Sequence, residues 1–208
     1  MKVAIVDYSM GNLGSVSRAL FELGTQAYIA ECPNRLMAAD RIVLPGVGSF
    51  ADGMTNLRDG SWVEEIRYHV FEKNKPLLGI CLGMQLLAST GTEGGDLPGL
   101  DFIPGQVVRL DLLGCRLRIP HVGWNSITPS PTNHGLFSGI PNGTDFYFVH
   151  SYAFRPVCEE QVLAYTDYDI PVVAAVGDGH VLGTQFHPEK SSRAGFRVLR
   201  NFLDFRSC

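Results

Sequence analysis

The chain has 208 residues, a length at which one domain buries roughly 70% of the surface of its unfolded chain. Apolar residues make up 45% and charged residues 18% of it, which excludes intrinsic disorder. The net charge is −4 with Lys and Arg scattered, which argues against nucleic-acid binding and a polybasic membrane contact. The sequence has no apolar run of the roughly 18 residues that a membrane helix needs and no signal-peptide pattern, so we expect a cytoplasmic protein.

The first half of the chain alternates between two kinds of pattern. Short apolar runs predict strands at Lys2–Val6, Arg41–Leu44 and Leu77–Ile80. Apolar residues at helical spacing predict helices at Ser15–Leu23, after Ser61, which is placed to cap it, and at Leu82–Ala88. This alternation is typical of a parallel sheet covered by helices on both faces.

The second half is rich in short β-type segments. We predict strands at Gln106–Arg109, Arg116–Ile119, Trp124–Thr128, Phe146–Val149, Val162–Tyr168, Val172–Val176 and Val181–Phe186. Ser191 and Ser192 are placed to cap a last helix. No linker interrupts the chain, so we predict one α/β domain over residues 1–208. Its central sheet is mixed and mostly parallel, with helices on both faces and an added antiparallel region in the second half.

One cysteine stands in a distinctive context. Gly79-Ile80-Cys81-Leu82-Gly83 has the form of a nucleophile elbow with cysteine as the nucleophile. The flanking glycines allow the backbone to pack around a sharp strand-to-helix turn, which exposes the side chain at the carboxyl edge of the sheet. We interpret Cys81 as a catalytic nucleophile; the alternative is a buried cysteine between packing glycines.

The remaining cysteines are Cys32, Cys115, Cys158 and Cys208. Their spacing contains no Cys-x-x-Cys pair, which argues against a zinc knuckle and a thioredoxin-type redox pair. We therefore expect free thiols and no metal site.

A cysteine nucleophile of this kind needs a base. Among the six histidines, His187 has the most suitable context, because it follows the predicted strand that ends at Phe186. Pro188 stiffens the turn, and Glu189 is placed to orient the imidazole and stabilise its charge. Read alone, His-Pro-Glu is also compatible with an ordinary turn.

A glycine loop follows the predicted strand Arg41–Leu44. Glycine at positions 46 and 48 of Leu44-Pro45-Gly46-Val47-Gly48-Ser49 allows successive N–H groups to face one concavity. The loop lacks the third glycine of a dinucleotide fingerprint and the Gly-Lys-Ser/Thr of a Walker loop. We interpret it as one arm of an oxyanion hole; a plain glycine loop is the alternative.

Together these segments resemble the class I, triad-type glutamine amidotransferases. Gly79–Gln85, Pro45–Gly48 and His187–Glu189 match that family's three motifs in order. Four further segments resemble the glutaminase subunits of imidazole glycerol phosphate synthase, namely Asp7–Leu13, His121–Asn125, Phe148–Tyr152 and Phe186–Ser191. Ser9 replaces a usual glycine and Val122 a common methionine of that pattern, and neither position belongs to the triad.

The resemblance implies hydrolysis of L-glutamine to L-glutamate and ammonia without a cofactor. Cys81 attacks the side-chain amide, with His187 as base and Glu189 orienting it, and a glutamyl thioester forms. The oxyanion is held by the N–H groups of Val47, Gly48 and Leu82 after the loop rearranges. The residues implied to contact glutamine are Gln85, Glu93, Ser151 and Tyr152, with Glu93 suited to the α-ammonium group.

The resemblance also implies a partner. Ammonia passes, shielded from solvent, to a (β/α)8 cyclase subunit in a heterodimer, which makes imidazole glycerol phosphate and an aminoimidazole carboxamide ribonucleotide. Positions matching that interface are Asn12, Trp124, Tyr147 and Lys190. Simple alternatives remain open: Trp124 as core filling, Lys190 as a solvated lysine and Glu93 as an exposed carboxylate.

Other functions stay open at this point. One is an amidotransferase for another pathway, such as pyridoxal phosphate or anthranilate synthesis, against which the segments at 120–125 and 149–152 argue. A second is a binding or regulatory module without turnover, which the intact Cys81, His187 and Glu189 disfavour. A third is a peptidase-like relative with a cysteine elbow, which the His-Pro-Glu element disfavours.

Overall fold

The computed structural model describes residues 1–131 and 135–205, so Cys208 lies outside the described residues. The helices there are α1 (Leu13–Glu22), α2 (Phe50–Asp59), α3 (Trp62–Arg67), α4 (Leu82–Leu86) and α5 (Ser192–Asp204). The strands are β1 (Lys2–Val6), β2 (Gln26–Ala30), β3 (Arg41–Gly46), β4 (Leu77–Cys81), β5 (Thr90–Gly91), β6 (Leu97–Pro98), β7 (Gly105–Arg109), β8 (His121–Pro129), β9 (Thr144–His150), β10 (Tyr152–Pro156), β11 (Val162–Asp167), β12 (Pro171–Asp178) and β13 (Val181–Thr184).

Within this described part of the chain, nine strands form one mixed sheet in the order β2-β1-β3-β4-β13-β12-β11-β8-β9. Neighbours from β2 to β13 pair in parallel, and the pairs from β13 to β9 are antiparallel. The predicted α/β class with an added antiparallel region is confirmed.

Both faces of the parallel region are covered, which explains its continuous apolar runs. Along β1, Ala4 and Val6 pack into one apolar cluster and Val3 and Ile5 into another, as the two-residue period of a strand requires. The first cluster includes side chains of α2, α3 and α4, and the second includes those of α1 and α5. The helices on either side thus hold the centre of the sheet rigid at the edge where β3, β4 and β13 end.

A second sheet of four short strands has the order β10-β7-β5-β6. Ser151 alone separates β9 of the large sheet from β10 of the small one. The chain therefore changes sheets at Ser151 and Tyr152, and this junction lies beside the end of β4.

The predicted strand at Arg116–Ile119 is wrong. The Arg116 N–H donates to the Asp169 carboxylate at 2.8 Å, and the Tyr168 hydroxyl donates to the Arg118 carbonyl at 2.6 Å. Side chains thus satisfy backbone groups that a strand would pair with a neighbouring strand.

The strands β2 and β10 and the helix α2 were not predicted from the sequence, and the predicted serine caps of α3 and α5 are wrong. Ser61 precedes α3 with a left-handed φ of 57° and no capping hydrogen bond. Ser191 precedes α5 without capping it, because its hydroxyl oxygen accepts from the Tyr147 N–H at 3.0 Å instead of from a helix N–H. No helix among residues 1–131 and 135–205 is long and apolar enough to cross a membrane.

Candidate active site

Cys81 is the last residue of β4, and α4 begins at the next residue. Its backbone has φ 56° and ψ −110°, a conformation that a residue with a side chain rarely adopts. Cys81 is 6% exposed. The chain therefore turns abruptly at Cys81, as the elbow pattern predicts.

The glycines around Cys81 permit a close approach of three elements. A Cβ atom at Gly79 would lie 2.7 Å from the backbone of Gly83, and one at Gly83 would overlap the Leu44 carbonyl oxygen of β3. A Cβ atom at Gly46 would lie 2.9 Å from the Gly83 nitrogen. Each glycine thus leaves room that the turn of β4 into α4 against β3 requires.

His187 lies three residues beyond β13, the strand next to β4, and its Nδ1 is 2.7 Å from Oε1 of Glu189. Both side chains are buried. Since a carboxylate oxygen accepts, Nδ1 carries a proton and Nε2 is the nitrogen left to exchange one. Nε2 is buried with no aligned hydrogen-bond partner in the described part of the chain.

The charge state of His187 follows from its neighbours. Burial lowers the pKa of His187, but Cys81 and Glu189 together outweigh burial and raise the pKa to about 9. Cys81 is thus close enough to stabilise the imidazolium although the two are not aligned for a full hydrogen bond. The arrangement favours the imidazolium form of His187 beside the sulfur, the setting of a reactive cysteine–histidine pair.

The glycine loop lies beside the elbow, because Gly46 of β3 pairs with Cys81 of β4. Gly48 has a φ of 107°, in the region that favours glycine. The Val47 N–H donates to the Met10 carbonyl at 3.0 Å. In this conformation the Val47 donor is therefore occupied, and only a loop rearrangement would free it for an oxyanion.

A cavity of about 350 Å³ opens at the sulfur. Its lining contains Cys81, the predicted oxyanion donors and the predicted glutamine contacts, namely Val47, Gly48, Leu82, Gln85, Glu93, Ser151 and Tyr152. Oε2 of Glu93 accepts from the Phe50 N–H at 2.8 Å, so this carboxylate is held at the cavity. The volume falls in the usual range for small-molecule sites. Two larger cavities, of 620 and 660 Å³, are lined by none of these residues.

A model of the family "Glutamine amidotransferase class-I" matches residues 4–205. The chain belongs to the class-I glutamine amidotransferases. A solved structure titled "Crystal structure of glutamine amidotransferase" superposes on it with a TM-score of 0.75 over 97% of each chain at 24% identity, which supports the same fold.

Curated relatives of this amidotransferase are more similar in sequence. The imidazole glycerol phosphate synthase subunit HisH of Moorella thermoacetica is 50% identical over 96% of this chain and 93% of its own length. The HisH subunit of Desulfitobacterium hafniense strain DSM 10664 / DCB-2 is 45% identical over 96% of this chain and 92% of its own length. At this identity and coverage, the amidotransferase belongs with the HisH subunits.

The residues predicted at a partner interface lie outside the amidotransferase cavity. Trp124 of β8 and Tyr147 of β9 are cross-strand partners with ring centroids 6.1 Å apart, and Nζ of Lys190 lies 5.9 Å from the Tyr147 ring. Trp124 is 54% exposed, so core filling is wrong for it. Asn12 accepts from the Ser15 N–H at 3.3 Å and caps α1.

A pair of histidines, of which His150 lines the cavity, was not predicted from the sequence. Nδ1 of His150 faces the Tyr152 carbonyl at 2.9 Å, and Nε2 of His150 lies 3.0 Å from Nδ1 of His121. A carbonyl only accepts, so His150 donates through Nδ1 and accepts from His121 through Nε2. Burial lowers the pKa of His121 to about 4 and, with smaller contributions from other groups, that of His150 to about 3, so both rings are neutral.

Proposed function

We propose that this amidotransferase hydrolyses L-glutamine to L-glutamate and ammonia through a triad of Cys81, His187 and Glu189, with no metal or cofactor. The observation that carries the proposal is the buried His187–Glu189 pair behind a strained cysteine that opens onto a small-molecule cavity. One domain over residues 1–208 performs glutamine hydrolysis, which is one part of a two-subunit reaction, in the cytoplasm.

The chemistry has two halves. In the first, Nε2 of His187 takes the Cys81 proton, and the sulfur attacks the side-chain amide carbon of glutamine. The C–N bond then breaks as His187 returns the proton to the leaving nitrogen, which gives ammonia and a glutamyl thioester. In the second, His187 deprotonates a water molecule that attacks the thioester, and the C–S bond breaks to release glutamate and Cys81.

The oxyanion that forms in each half of the reaction is stabilised by backbone N–H groups. Leu82 begins α4 directly after the nucleophile and lines the cavity. Gly48 and Val47 supply the opposite side once the hydrogen bond from Val47 to Met10 is exchanged for the substrate oxygen. Turnover is therefore slow until something favours the rearranged loop.

Recognition of glutamine uses the lining of the cavity. Gln85 donates through Nε2 to both the Tyr152 carbonyl and Oε1 of Gln185, at 3.0 and 2.9 Å. Both hydrogens are thus occupied, and Gln85 offers a substrate only its oxygen, which accepts from an N–H group. Glu93 supplies negative charge for the α-ammonium group, and the backbone at Ser151 and Tyr152 contacts the carboxylate end.

The ammonia passes unexposed to a (β/α)8 cyclase subunit that forms a heterodimer with this chain. The cyclase uses it with a phosphoribulosyl aminoimidazole-carboxamide nucleotide to form imidazole glycerol phosphate and an aminoimidazole carboxamide ribonucleotide in histidine biosynthesis. The exposed aromatic pair Trp124–Tyr147, with Lys190 and Asn12, is the proposed contact surface. Aromatic side chains such as Trp124 and Tyr147 are enriched at protein–protein interfaces. Binding there activates glutamine hydrolysis allosterically.

The test is to mix the chain with a HisH-partner cyclase and measure glutamate release with and without the cyclase's nucleotide ligand. We expect strong stimulation of glutamate release only when the cyclase and its nucleotide ligand are both present. In the complex, Cys81→Ala removes glutamine-dependent synthesis and leaves ammonia-dependent synthesis intact. Equal loss of both activities, or no stimulation by any cyclase, contradicts the proposal.

A further inference from the structure

Two buried side-chain amides lie behind the elbow. Gln85 belongs to α4, and Gln185 follows β13 two residues before His187. Gln185 is completely buried. Burying an amide is costly unless its donors and acceptors are paired, so the partners of Gln185 fix its orientation.

The orientation of both amides follows from one backbone carbonyl. The Tyr152 carbonyl only accepts, so the Gln85 atom 3.0 Å from it is the nitrogen. This nitrogen also faces Gln185 at 2.9 Å, so the Gln185 atom there is the oxygen. The remaining end of Gln185 is therefore its Nε2, which lies 3.7 Å from Sγ of Cys81.

The sulfur has a different environment before and after it loses its proton. The neutral thiol donates to the Val149 carbonyl at 3.7 Å. A thiolate only accepts, and the carbonyl oxygen then faces a negative charge. The Gln185 N–H faces the same sulfur and attracts it in that state. Other titratable groups near the sulfur are His187, whose imidazolium favours the anion, and Tyr8, whose hydroxyl has no partner in the described chain.

We propose that Gln185 donates a hydrogen bond to the Cys81 thiolate and steers the sulfur away from Val149 and toward the substrate amide. This inference rests on the proposed function, since it assigns a donor within the same site. The Tyr152 carbonyl, which lines the glutamine cavity, fixes the donor through Gln85. The wall of the cavity and the nucleophile are thereby parts of one hydrogen-bonded unit.

Two substitutions separate donation from packing. Gln185→Leu keeps a similar volume and removes the amide. Gln185→Glu keeps the shape and an oxygen for Gln85 but turns an acceptor toward the sulfur. Gln161→Leu is the control, because Gln161 donates to Asp178 in a 3-10 turn away from the cavity.

The readout is the rate of iodoacetamide alkylation at Cys81 across pH, followed by mass spectrometry of that peptide. We expect Gln185→Leu to slow alkylation at pH 7 about tenfold and to move its pH midpoint up by about one unit. Gln185→Glu should be at least as slow, and Gln161→Leu should match the wild type. In the cyclase complex, kcat for glutamine should fall with KM nearly unchanged.

If Gln185 has only a structural role, the isosteric Gln185→Glu should be alkylated as fast as the wild type and faster than Gln185→Leu. That result overturns the proposal. If neither variant folds, the wild-type protein decides. The side-chain amide proton signals of Gln185 should shift with the same pH midpoint as Cys81 alkylation, and constant signals refute the hydrogen bond. Alkylation and the amide signals need no turnover, so they distinguish failure of this inference from failure of the proposed glutaminase activity.

Discussion

The backbone N–H of His187 donates to the Tyr147 carbonyl over 3.0 Å. The Ser191 hydroxyl completes the link, donating to the His187 carbonyl at 2.6 Å and accepting from the Tyr147 N–H at 3.0 Å. The side chain of Tyr147 contacts Trp124 and Lys190 on the proposed cyclase surface. The proposed base is thus joined to a strand that a partner would contact by one backbone hydrogen bond and by the Ser191 hydroxyl, which makes two more.

Ser191→Ala should weaken this link. It leaves the Tyr147 N–H without its hydroxyl partner, so we expect the free energy of unfolding to fall by about 1–2 kcal/mol. Cyclase stimulation of glutamine hydrolysis should fall several-fold more than the basal rate. Denaturant unfolding and glutaminase assays with and without cyclase measure both effects. Ser17→Ala on α1 serves as the control, and equal loss of basal and stimulated rates would argue against a coupling role.

Gly83→Ala should destabilise the fold strongly, because its Cβ would overlap the Leu44 carbonyl oxygen. Overpacking against backbone costs about 1–3 kcal/mol or more. The matched control is Gly14→Ala on α1, where a Cβ meets nothing within 4 Å. A helical glycine replaced in open space gains about 0.5–1 kcal/mol, so the two changes should have opposite signs in urea unfolding. The same sign for both would contradict the packing described at the elbow.

Tyr8→Phe should leave the protein at least as stable as the wild type. The Tyr8 hydroxyl is buried without a partner in the described chain. Burial raises its pKa, and the nearby Cys81 raises it further. Removing an unpaired buried hydroxyl should gain about 1 kcal/mol in the free energy of unfolding. Tyr28→Phe is the control: its hydroxyl donates to the Arg35 carbonyl at 2.8 Å, and its loss should be mildly destabilising. A clear loss of stability in Tyr8→Phe would indicate a partner for the hydroxyl.

Acid should destabilise the protein through its histidine pair. Burial lowers the pKa of His121 to about 4 and that of His150 to about 3, below the ordinary value near 6.5. The unfolded chain therefore binds more protons than the folded one below about pH 6.5, and stability falls as pH falls toward 4. The slope is on the order of 1.4 kcal/mol per pH unit for each histidine. Urea unfolding at pH 7 and pH 5 should give a smaller difference in His150→Gln than in the wild type, and an unchanged difference would contradict this origin.

Local patterns predicted the fold's centre and the elbow well. Apolar runs located β1, β3 and β4 because these strands are buried on both faces, and glycine spacing located Cys81 because the turn excludes side chains at Gly79 and Gly83. Gly46 and Gly48 likewise marked the loop after β3, and the pairing of Gly46 with Cys81 brings that loop beside the elbow. These features depend on neighbours within a few residues or on adjacent strands.

Features that depend on distant pairing were missed. The Arg116–Ile119 segment has the composition of a strand, yet Asp169 and Tyr168, about 50 residues away, satisfy its backbone. His121 and His150 meet only because the register of β8 and β9 places them opposite one another. The small sheet likewise joins β5 and β7 to the distant β10, so no local periodicity of the sequence predicts this sheet.

The register that places Gly46 opposite Cys81 has a consequence for transplanting this chemistry. A one-residue insertion in either strand would reverse the facing of every side chain beyond it and separate the loop from the nucleophile. A designer grafting this centre onto another scaffold should therefore transfer β3, β4 with the start of α4, and β13 with His187 and Glu189 as one unit.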